Sequence, residues 1–174
     1  MCSALWNVLK EKYLVEPETE EEFNCIATEL MEEWNLPNVI GALDGKNVCI
    51  ECPKHGGSLF YNYKSFHSTV LMAICDAKYR FLHVSIGSYC GENDAGIIIQ
   101  SEFIQKIDDG SHPLPPPSQH GDYTLPHILV GDEIFPLKPW LMKPWPGKNH
   151  TLQQQVYNYQ LSRSRRAPQL SATD

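Results

Sequence analysis

The stretch "STVLMAICDAKYRFLHVSI", residues 68–86, decides the fold that we predict for this chain. Its first half is an almost continuous apolar run, which is typical of a strand that is buried on both faces of a sheet. Residues 76–78 interrupt the run, and a second apolar segment follows at once. The pattern therefore predicts two neighbouring strands joined by a turn at 76–78.

The segments before this pair of strands predict two helices and a further strand. Apolar residues recur three and four positions apart in "SALWNVLKEKYL" (3–14) and "EEFNCIATELMEEW" (21–34), which is the spacing of one helix face. Pro17 separates the two segments, so we expect a helix on each side of it. Residues 38–52 begin with an apolar run and predict another strand of the same sheet.

The second half of the chain alternates between regular segments and proline-rich connections. The predicted order is two helices, then strands, a helix, a strand and a helix, which indicates a mixed α/β domain with one central sheet. The predicted segments are a helix at 94–107, an exposed loop at 108–126, a strand within "HILVGDEIF" (127–135), a proline-broken helical connection at 136–147, and a helix at 151–166 with Thr151 as its N-cap.

The composition is that of one globular domain. The chain has 174 residues, of which 42% are hydrophobic and 20% charged, and no apolar run approaches the roughly 20 residues that span a bilayer. Its polar N-terminus predicts no secretory signal, so we expect an intracellular protein with six reduced cysteines. The formal net charge of −7 argues against a general nucleic-acid coat. This net charge is compatible with an enzyme that binds nucleic acid through a small site loaded with metal ions.

Three aspartates stand at the ends of predicted elements. Asp44 follows the apolar run "NVIGAL", Asp132 follows "HILVG", and Asp94 opens the helix predicted in "GENDAGIII". Carboxylates at strand ends can converge above one sheet, and carboxylates with water are the ligands that Mg²⁺ and Mn²⁺ prefer. Two alternatives stay open, because Asp94 is also a good N-cap and Asp44–Gly45 is a common hairpin turn.

Three stretches resemble the DDE endonuclease domain of the PIF/Harbinger transposases and of the nucleases derived from them. They are "GALDGKNVCIECPKHGGSLFYNYKSFHSTVLMAICDAKYRFLHVSIGSYCGENDAGI", "HILVGDEIFPLKPWLMKPWPG" and "YNYQLSRSRR", which occur in the family's order. The resemblance implies an RNase H-like α/β fold, a mixed central sheet flanked by helices. It divides the chain into an N-terminal helical segment (1–35), a DDE endonuclease domain (36–166) and a divergent tail (167–174).

The resemblance also implies the roles of the three aspartates. Asp44 and Asp132 match the family's first and second catalytic aspartates, and Asp44, Asp94 and Asp132 match its metal-site acids. The family's last catalytic residue is a Glu that follows the "SRxRR" motif, whereas this chain continues as "SRSRRAPQLSATD". We therefore expect a truncated or divergent C-terminus without that Glu, and impaired hydrolysis. Asp76, Glu133 and Asp174 are conceivable replacements that the spacing does not support.

The function implied by the resemblance is hydrolysis of DNA phosphodiester bonds with Mg²⁺ or Mn²⁺. In the two-metal route, two ions lie about 3.5–4 Å apart; Asp44 would bridge both and Asp132 would hold one. Family members work with a separate Myb-like DNA-binding partner protein. The resemblance also implies a location in the nucleus, with the cytoplasm as a further compartment, and no association with a membrane. The alternative is a catalytically inactive, domesticated domain that acts as a protein-interaction module.

Two further patterns carry weaker predictions. Cys49 and Cys52 form a CxxC, but no second pair follows at zinc-finger spacing, so a zinc or thiol-redox site is disfavoured. The aromatic run "LFYNYKSF" (59–66) could stack on bases, and we favour a buried cluster at a hairpin end. Several cations could contact phosphates, although solvated surface charge is the favoured interpretation for most of them: Lys54, Lys64, Lys138, Lys143 and the arginines within 163–166.

Overall fold

A mixed five-stranded sheet organises the computed structural model, which describes residues 2–14, 16–54, 57–62, 64–88 and 101–165. The helices are α1 (Cys2–Tyr13), α2 (Glu20–Trp34), α3 (Glu102–Asp108) and α4 (Leu152–Ser164). The strands are β1 (Val39–Cys49), β2 (Ser68–Cys75), β3 (Phe81–Ser88), β4 (Ser118–His120), β5 (Tyr123–Leu125), β6 (Ile128–Val130) and β7 (Leu141–Met142).

The strand order in the main sheet is β3-β2-β1-β6-β7. Strands β1, β2 and β3 form an antiparallel meander, and β6 and β7 add to it in parallel on the other side of β1. Strands β4 and β5 form a separate two-stranded sheet. The predicted mixed α/β class with one central sheet is confirmed, and the arrangement is consistent with an RNase H-like fold.

The turn between β2 and β3 is fixed by Asp76, whose side chain is fully buried. Its Oδ1 accepts backbone N–H bonds from Lys78 and Arg80, each at 2.9 Å, and its Oδ2 accepts a bond from Arg80 Nε at 2.6 Å. Lys78 and Arg80 also pair with Glu29 of α2. The predicted meander is confirmed, and Asp76 is a structural residue of its turn.

Helix α2 packs against β1 and supplies one side of the core. Thr19 and Glu22 form a capping box at its start, and Asn35 ends it in the left-handed conformation at φ 53°. Its buried side chains recur at helical spacing, so one apolar face meets the sheet, with a gain of roughly 1.5–3 kcal/mol for each large side chain removed from water. These residues are Phe23, Ile26, Ala27, Leu30 and Trp34.

The other predicted helices are observed within the described residues. Helix α3 begins after Ser101, its N-cap, so the part of that prediction at 94–100, including Asp94, lies outside the described residues. Helix α4 begins after Thr151, which forms a capping box with Gln154. Helix α1 exposes its apolar side chains along its length. Within the described ranges, every helix is too short or too polar to cross a membrane.

The strand predicted at 38–52 is confirmed as β1, but the expectation that Asp44 stands at the end of a strand is wrong, and so is the alternative of a hairpin turn at Asp44–Gly45. Strand β1 continues to Cys49, and Asp44 and Gly45 pair with Ala73 and Met72 of β2. The antiparallel ladder with β2 satisfies the backbone groups of this segment, so the chain has no need to turn there. Asp44 lies where the strand leaves the core, because residues 39–43 are buried and Asp44 is only half-buried.

The predicted loop at 108–126 contains the β4–β5 hairpin, so its irregular assignment is wrong in part. Asn38, buried at the entry to β1, fastens this hairpin: its Nδ2 donates to the carbonyl of Leu125 at 2.7 Å. Its Oδ1 accepts bonds from Ser118 Oγ at 2.8 Å and His120 Nε2 at 2.9 Å. This long-range amide contact orders a segment whose Pro and Gly content indicates a loop.

The helical connection predicted at 136–147 is also wrong, since the segment contains the short strand β7. Leu129 N–H donates to the Trp140 carbonyl at 2.7 Å, and Gly131 N–H donates to the Met142 carbonyl at 2.9 Å. The prolines at 136, 139 and 144 lack the N–H that a helix requires, and a two-residue strand between them needs few donors.

The aromatic run at 59–66 does not form the predicted buried cluster. Leu59 and Tyr61 are each about half exposed, and Tyr63 lies outside the described residues. The buried residue of the run is Asn62, whose Nδ2 donates to Ser68 Oγ at 2.8 Å and whose Oδ1 accepts the Lys64 N–H at 2.9 Å. A polar side chain therefore organises this turn, and the apolar side chains stay in contact with water.

Candidate functional site

Asp44 and Asp132 each come shortly after the residues at which β1 and β6 pair in parallel. Ala42 of β1 pairs with Val130 of β6, and each aspartate comes two residues after its member of this pair. Neighbouring strands lie about 4.8 Å apart, so equal steps from one pair keep the two backbones close. The register therefore brings the backbone of Asp44 in β1 near that of Asp132, which lies two residues past the end of β6.

Asp132 is held in a tight turn directly after β6. Its Oδ1 accepts the N–H of Ile134 at 2.9 Å, and its carbonyl oxygen accepts the N–H of Phe135 at 3.4 Å. The first of these bonds is an Asx turn, which fixes the orientation of the carboxylate. The second carboxylate oxygen, Oδ2, faces away from this bond and is available for a charged neighbour.

Gly131 allows a buried ring to pack beneath this turn. A Cβ atom at Gly131 would lie 2.7 Å from Cδ2 of Phe135, closer than carbon atoms approach without displacement. Phe135 itself is 2% exposed and belongs to the core. The glycine therefore lets Phe135 support the backbone that carries Asp132, which supplies rigidity at the candidate site.

Arg165 at the end of α4 approaches the same aspartate. Its Nη2 lies 3.9 Å from Asp132 Oδ2, and the two side chains are 15% and 23% exposed. Arg165 is the C-cap of the helix, so the C-terminal end of α4 points toward the candidate site. The sequence predicts only a possible phosphate contact or solvated charge for this arginine, because only the packing of α4 brings it to Asp132.

Two side chains fasten α4 to the segment that follows β7. Asn158 Oδ1 accepts the Trp145 N–H at 2.8 Å, and its Nδ2 donates to the Trp145 carbonyl at 3.3 Å. The hydroxyl of Tyr157 donates to the Lys143 carbonyl at 3.2 Å, and burial raises the pKa of Tyr157 to about 12. These contacts fix where the helix, and therefore Arg165, lies relative to the sheet.

The site shows two of the three predicted metal-site acids, since Asp94 lies outside the described residues. Among the residues that the structure describes, no group of three or more His, Cys, Asp or Glu side chains is placed to hold a metal ion. The two aspartates fit a hard divalent cation by their chemistry, because Mg²⁺ takes one or two carboxylates and keeps several waters.

Of the other acids considered as ligands, Asp174 lies outside the described residues, and Asp76 and Glu133 lie apart from this arrangement or face water. Asp76 is committed to the β2–β3 turn. Glu133 is exposed beside Asp132, and its backbone carbonyl accepts a bond from Lys143 Nζ at 3.4 Å. Cys49 and Cys52 are exposed free thiols, and the described residues show no zinc-binding cluster around them.

Comparison with known proteins gives a consistent result. A family model described as "DDE superfamily endonuclease" matches residues 43–168, a range that contains all three predicted site residues. "Protein ALP1-like" of Arabidopsis thaliana is 29% identical over 144 residues, which cover 78% of this chain and 34% of that protein. "Putative nuclease HARBI1" of Bos taurus is 25% identical over 128 residues, and the human protein of that name 24%; each match covers 74% of this chain and 33% of the relative.

The chain thus spans about a third of the length of these relatives. No solved structure matches it. The resemblance drawn from the sequence to a DDE endonuclease domain is confirmed by the family match and by these relatives.

Proposed function

The chain belongs to the DDE superfamily endonuclease family, and we propose that it is a divalent-metal-dependent DNA endonuclease domain of the Harbinger transposase-derived type. The observation that carries this proposal is the pairing of Ala42 in β1 with Val130 in β6, two residues before Asp44 and Asp132, which both lie inside the range of the family match. The relatives named as nucleases support the same activity.

In this proposal Asp44 and Asp132 are the catalytic carboxylates and hold Mg²⁺ or Mn²⁺, with Asp94 as a further metal-site acid. Divalent ions bound there would supply an activated water and stabilise the leaving oxygen of the phosphodiester. The protein contributes position: β1 fixes Asp44 at the border of the core, and the Asx turn fixes Asp132. Rigid placement of the ligands matters because metal-assisted catalysis tolerates displacements of only about half an ångström.

We further propose that hydrolysis by this chain is impaired. The resemblance sets the family's last Glu just after the "SRxRR" motif, at about the positions that Pro168 and Gln169 occupy here. A neutral amide is a weaker ligand for a hard cation than a carboxylate, and it cannot accept a proton from water. Asp44 and Asp132, with help from Asp94, would therefore bind one ion weakly, and cleavage would stay near background.

Residues 36–166 form the endonuclease domain in this proposal, and DNA is its substrate. Recruitment to DNA would depend on a separate Myb-like partner in the nucleus, because the net charge of −7 gives the chain little non-specific attraction for a polyanion. Both the partner and the location rest on the family resemblance.

The second candidate is a catalytically inactive domain that serves as a protein-interaction module. The exposed apolar side chains of α1 favour it, since a helix that presents apolar side chains to water is a common binding element. The side chains concerned are Leu5, Trp6, Val8, Leu9 and Tyr13. A chain that binds no Mn²⁺ and stays inactive after the missing carboxylate is restored would support this candidate.

A nicking assay on supercoiled plasmid tests the proposed function. The double variant Pro168→Val/Gln169→Glu should nick DNA in Mn²⁺, whereas the natural chain should stay near background. Gln153→Glu, which adds the same charge at an exposed position of α4, should remain as inactive as the natural chain. Adding Asp44→Ala to the double variant should abolish nicking. Equal nicking by the natural chain and the double variant would contradict the proposed impairment.

A further inference from the structure

The pair formed by Arg165 and Asp132 has a geometry that a simple stabilising ion pair does not explain. The shortest approach, Nη2 to Oδ2, is 3.9 Å, which is longer than a direct hydrogen bond between these groups. Arg165 Nε is buried and has no hydrogen-bond partner within the described part of the chain. The guanidinium therefore neutralises the carboxylate from a distance while its own donors are poorly used.

The oxygen that faces Arg165 is the one left over by the turn. Asp132 Oδ1 is already an acceptor for the Ile134 N–H, so Oδ2 is the oxygen with free capacity. A divalent cation bound to Asp132 would use this same oxygen. Arg165 and the cation, which are both positively charged, would then lie close to the same carboxylate oxygen. Their repulsion at this short distance would lower the affinity of the site for the cation.

Arg165 is brought to this position by a helix that is held elsewhere. Asn158 and Tyr157 bond α4 to the backbone at Trp145 and Lys143, about two turns before the C-cap. The capping box at Thr151 fixes the other end of the helix. The position of the arginine is therefore built into the fold and does not depend on its weak contact with Asp132.

We propose that Arg165 is a positioning residue that neutralises Asp132 when no metal ion is bound and is displaced from it by the divalent cation. The inference rests on the proposed function, since it needs a metal ion at Asp132. Because the cation displaces Arg165, binding of a metal ion changes the contacts at the C-terminal end of α4. Arg165 also makes the affinity of the natural chain for metal lower than the affinity that the carboxylates alone would have.

Titration of Mn²⁺ into the protein, followed by the electron paramagnetic resonance of the free ion, tests the exchange. Arg165→Gln should bind Mn²⁺ on the order of tenfold more tightly than the natural chain, because a like charge near the ion is removed. Arg163→Gln is the matched control: it loses the same charge from the same helix, but its guanidinium lies over the Tyr159 ring at 5.9 Å. The control should match the natural chain.

Two aspartate variants separate this inference from the proposed function. Asp44→Asn and Asp132→Asn should each weaken Mn²⁺ binding strongly in the natural background. If Mn²⁺ binding is absent or indifferent to both changes, the proposed function fails. If binding needs both aspartates but Arg165→Gln binds no more tightly than Arg163→Gln, the role of Arg165 is refuted and the proposed function stands.

A measurement on the natural chain covers the case in which Arg165→Gln does not fold. The Nε–H resonance of Arg165, assigned by its loss in Arg165→Lys, should shift as Mg²⁺ is added, since the guanidinium leaves Asp132. The shift should vanish in Asp132→Asn. An Nε–H resonance that stays unchanged while Mg²⁺ saturates the site would overturn the proposed exchange.

Discussion

Replacing Gly131 with alanine tests whether Phe135 supports the turn that carries Asp132. The added Cβ would lie 2.7 Å from Phe135 Cδ2 and 3.3 Å from its Cγ, whereas carbon atoms pack at roughly 3.5–4.0 Å. The ring or the turn must therefore move by about 1 Å, and overpacking of this kind costs about 1–3 kcal/mol. Gly131 does not adopt a positive φ, so alanine fits the backbone there. Alanine also reduces the conformational entropy of the unfolded chain, which stabilises the folded protein by about 0.4–1 kcal/mol.

The net expectation for Gly131→Ala is a loss of about 1–2 kcal/mol in the free energy of unfolding, measured by urea denaturation. A double-mutant cycle isolates the contact, because Phe135→Val removes Cδ2 and Cε2, two of the three ring atoms nearest to the new methyl group. In the Phe135→Val background the same glycine change should cost almost nothing. An equal cost in both backgrounds would refute the idea that Phe135 requires the glycine. Mn²⁺ binding that is unchanged in Gly131→Ala would show that metal binding does not depend on the support of this turn by Phe135.

Three further predictions concern contacts that stabilise the fold. Asp76→Ala should cost about 1–3 kcal/mol of unfolding free energy, because it leaves the turn amides of Lys78 and Arg80 without their acceptor; urea denaturation showing no loss of stability would contradict this role. Asn158→Ala should speed deuterium exchange at the Trp145 amide, with unchanged exchange as the contrary result. Burial lowers the pKa values of His112 and His127 below 6.5, so their contribution to stability is present above that pH and lost as the pH falls; melting temperatures that rise on acidification from pH 7 to 5 would contradict the assignment.

Sequence periodicity predicts correctly the elements that are specified by their own local residues, through capping side chains and the spacing of apolar residues. Helix α2 has a capping box and an apolar face that are visible in the sequence, and the apolar run of β2 could form little else but a buried strand. Within the strand predicted at 38–52, the role of Asp44–Gly45 stays open from the sequence, because Asp–Gly suits a turn as well as a strand. Only the pairing of that segment with β2 decides between them.

The features that the sequence could not reveal depend on contacts between distant residues. Asn38 orders the β4–β5 hairpin across more than 80 positions of the chain, which no local rule anticipates. The approach of Arg165 to Asp132 and the packing of Phe135 against Gly131 likewise depend on how α4 and the turn sit on the finished sheet. A family motif marks Asp44 and Asp132 by position, and their role as site residues stays a prediction.

Iron-directed cleavage of the protein backbone tests the central claim most directly, that Asp44 and Asp132 hold one metal ion. Fe²⁺ in place of Mg²⁺ generates hydroxyl radicals in the presence of ascorbate and peroxide, and these cut the chain close to the bound ion. The account predicts two cuts, one near residue 44 and one near residue 132, both suppressed by excess Mg²⁺ and both lost in Asp132→Asn. A cut near only one of these residues, or two cuts that persist in Asp132→Asn, would contradict a shared site.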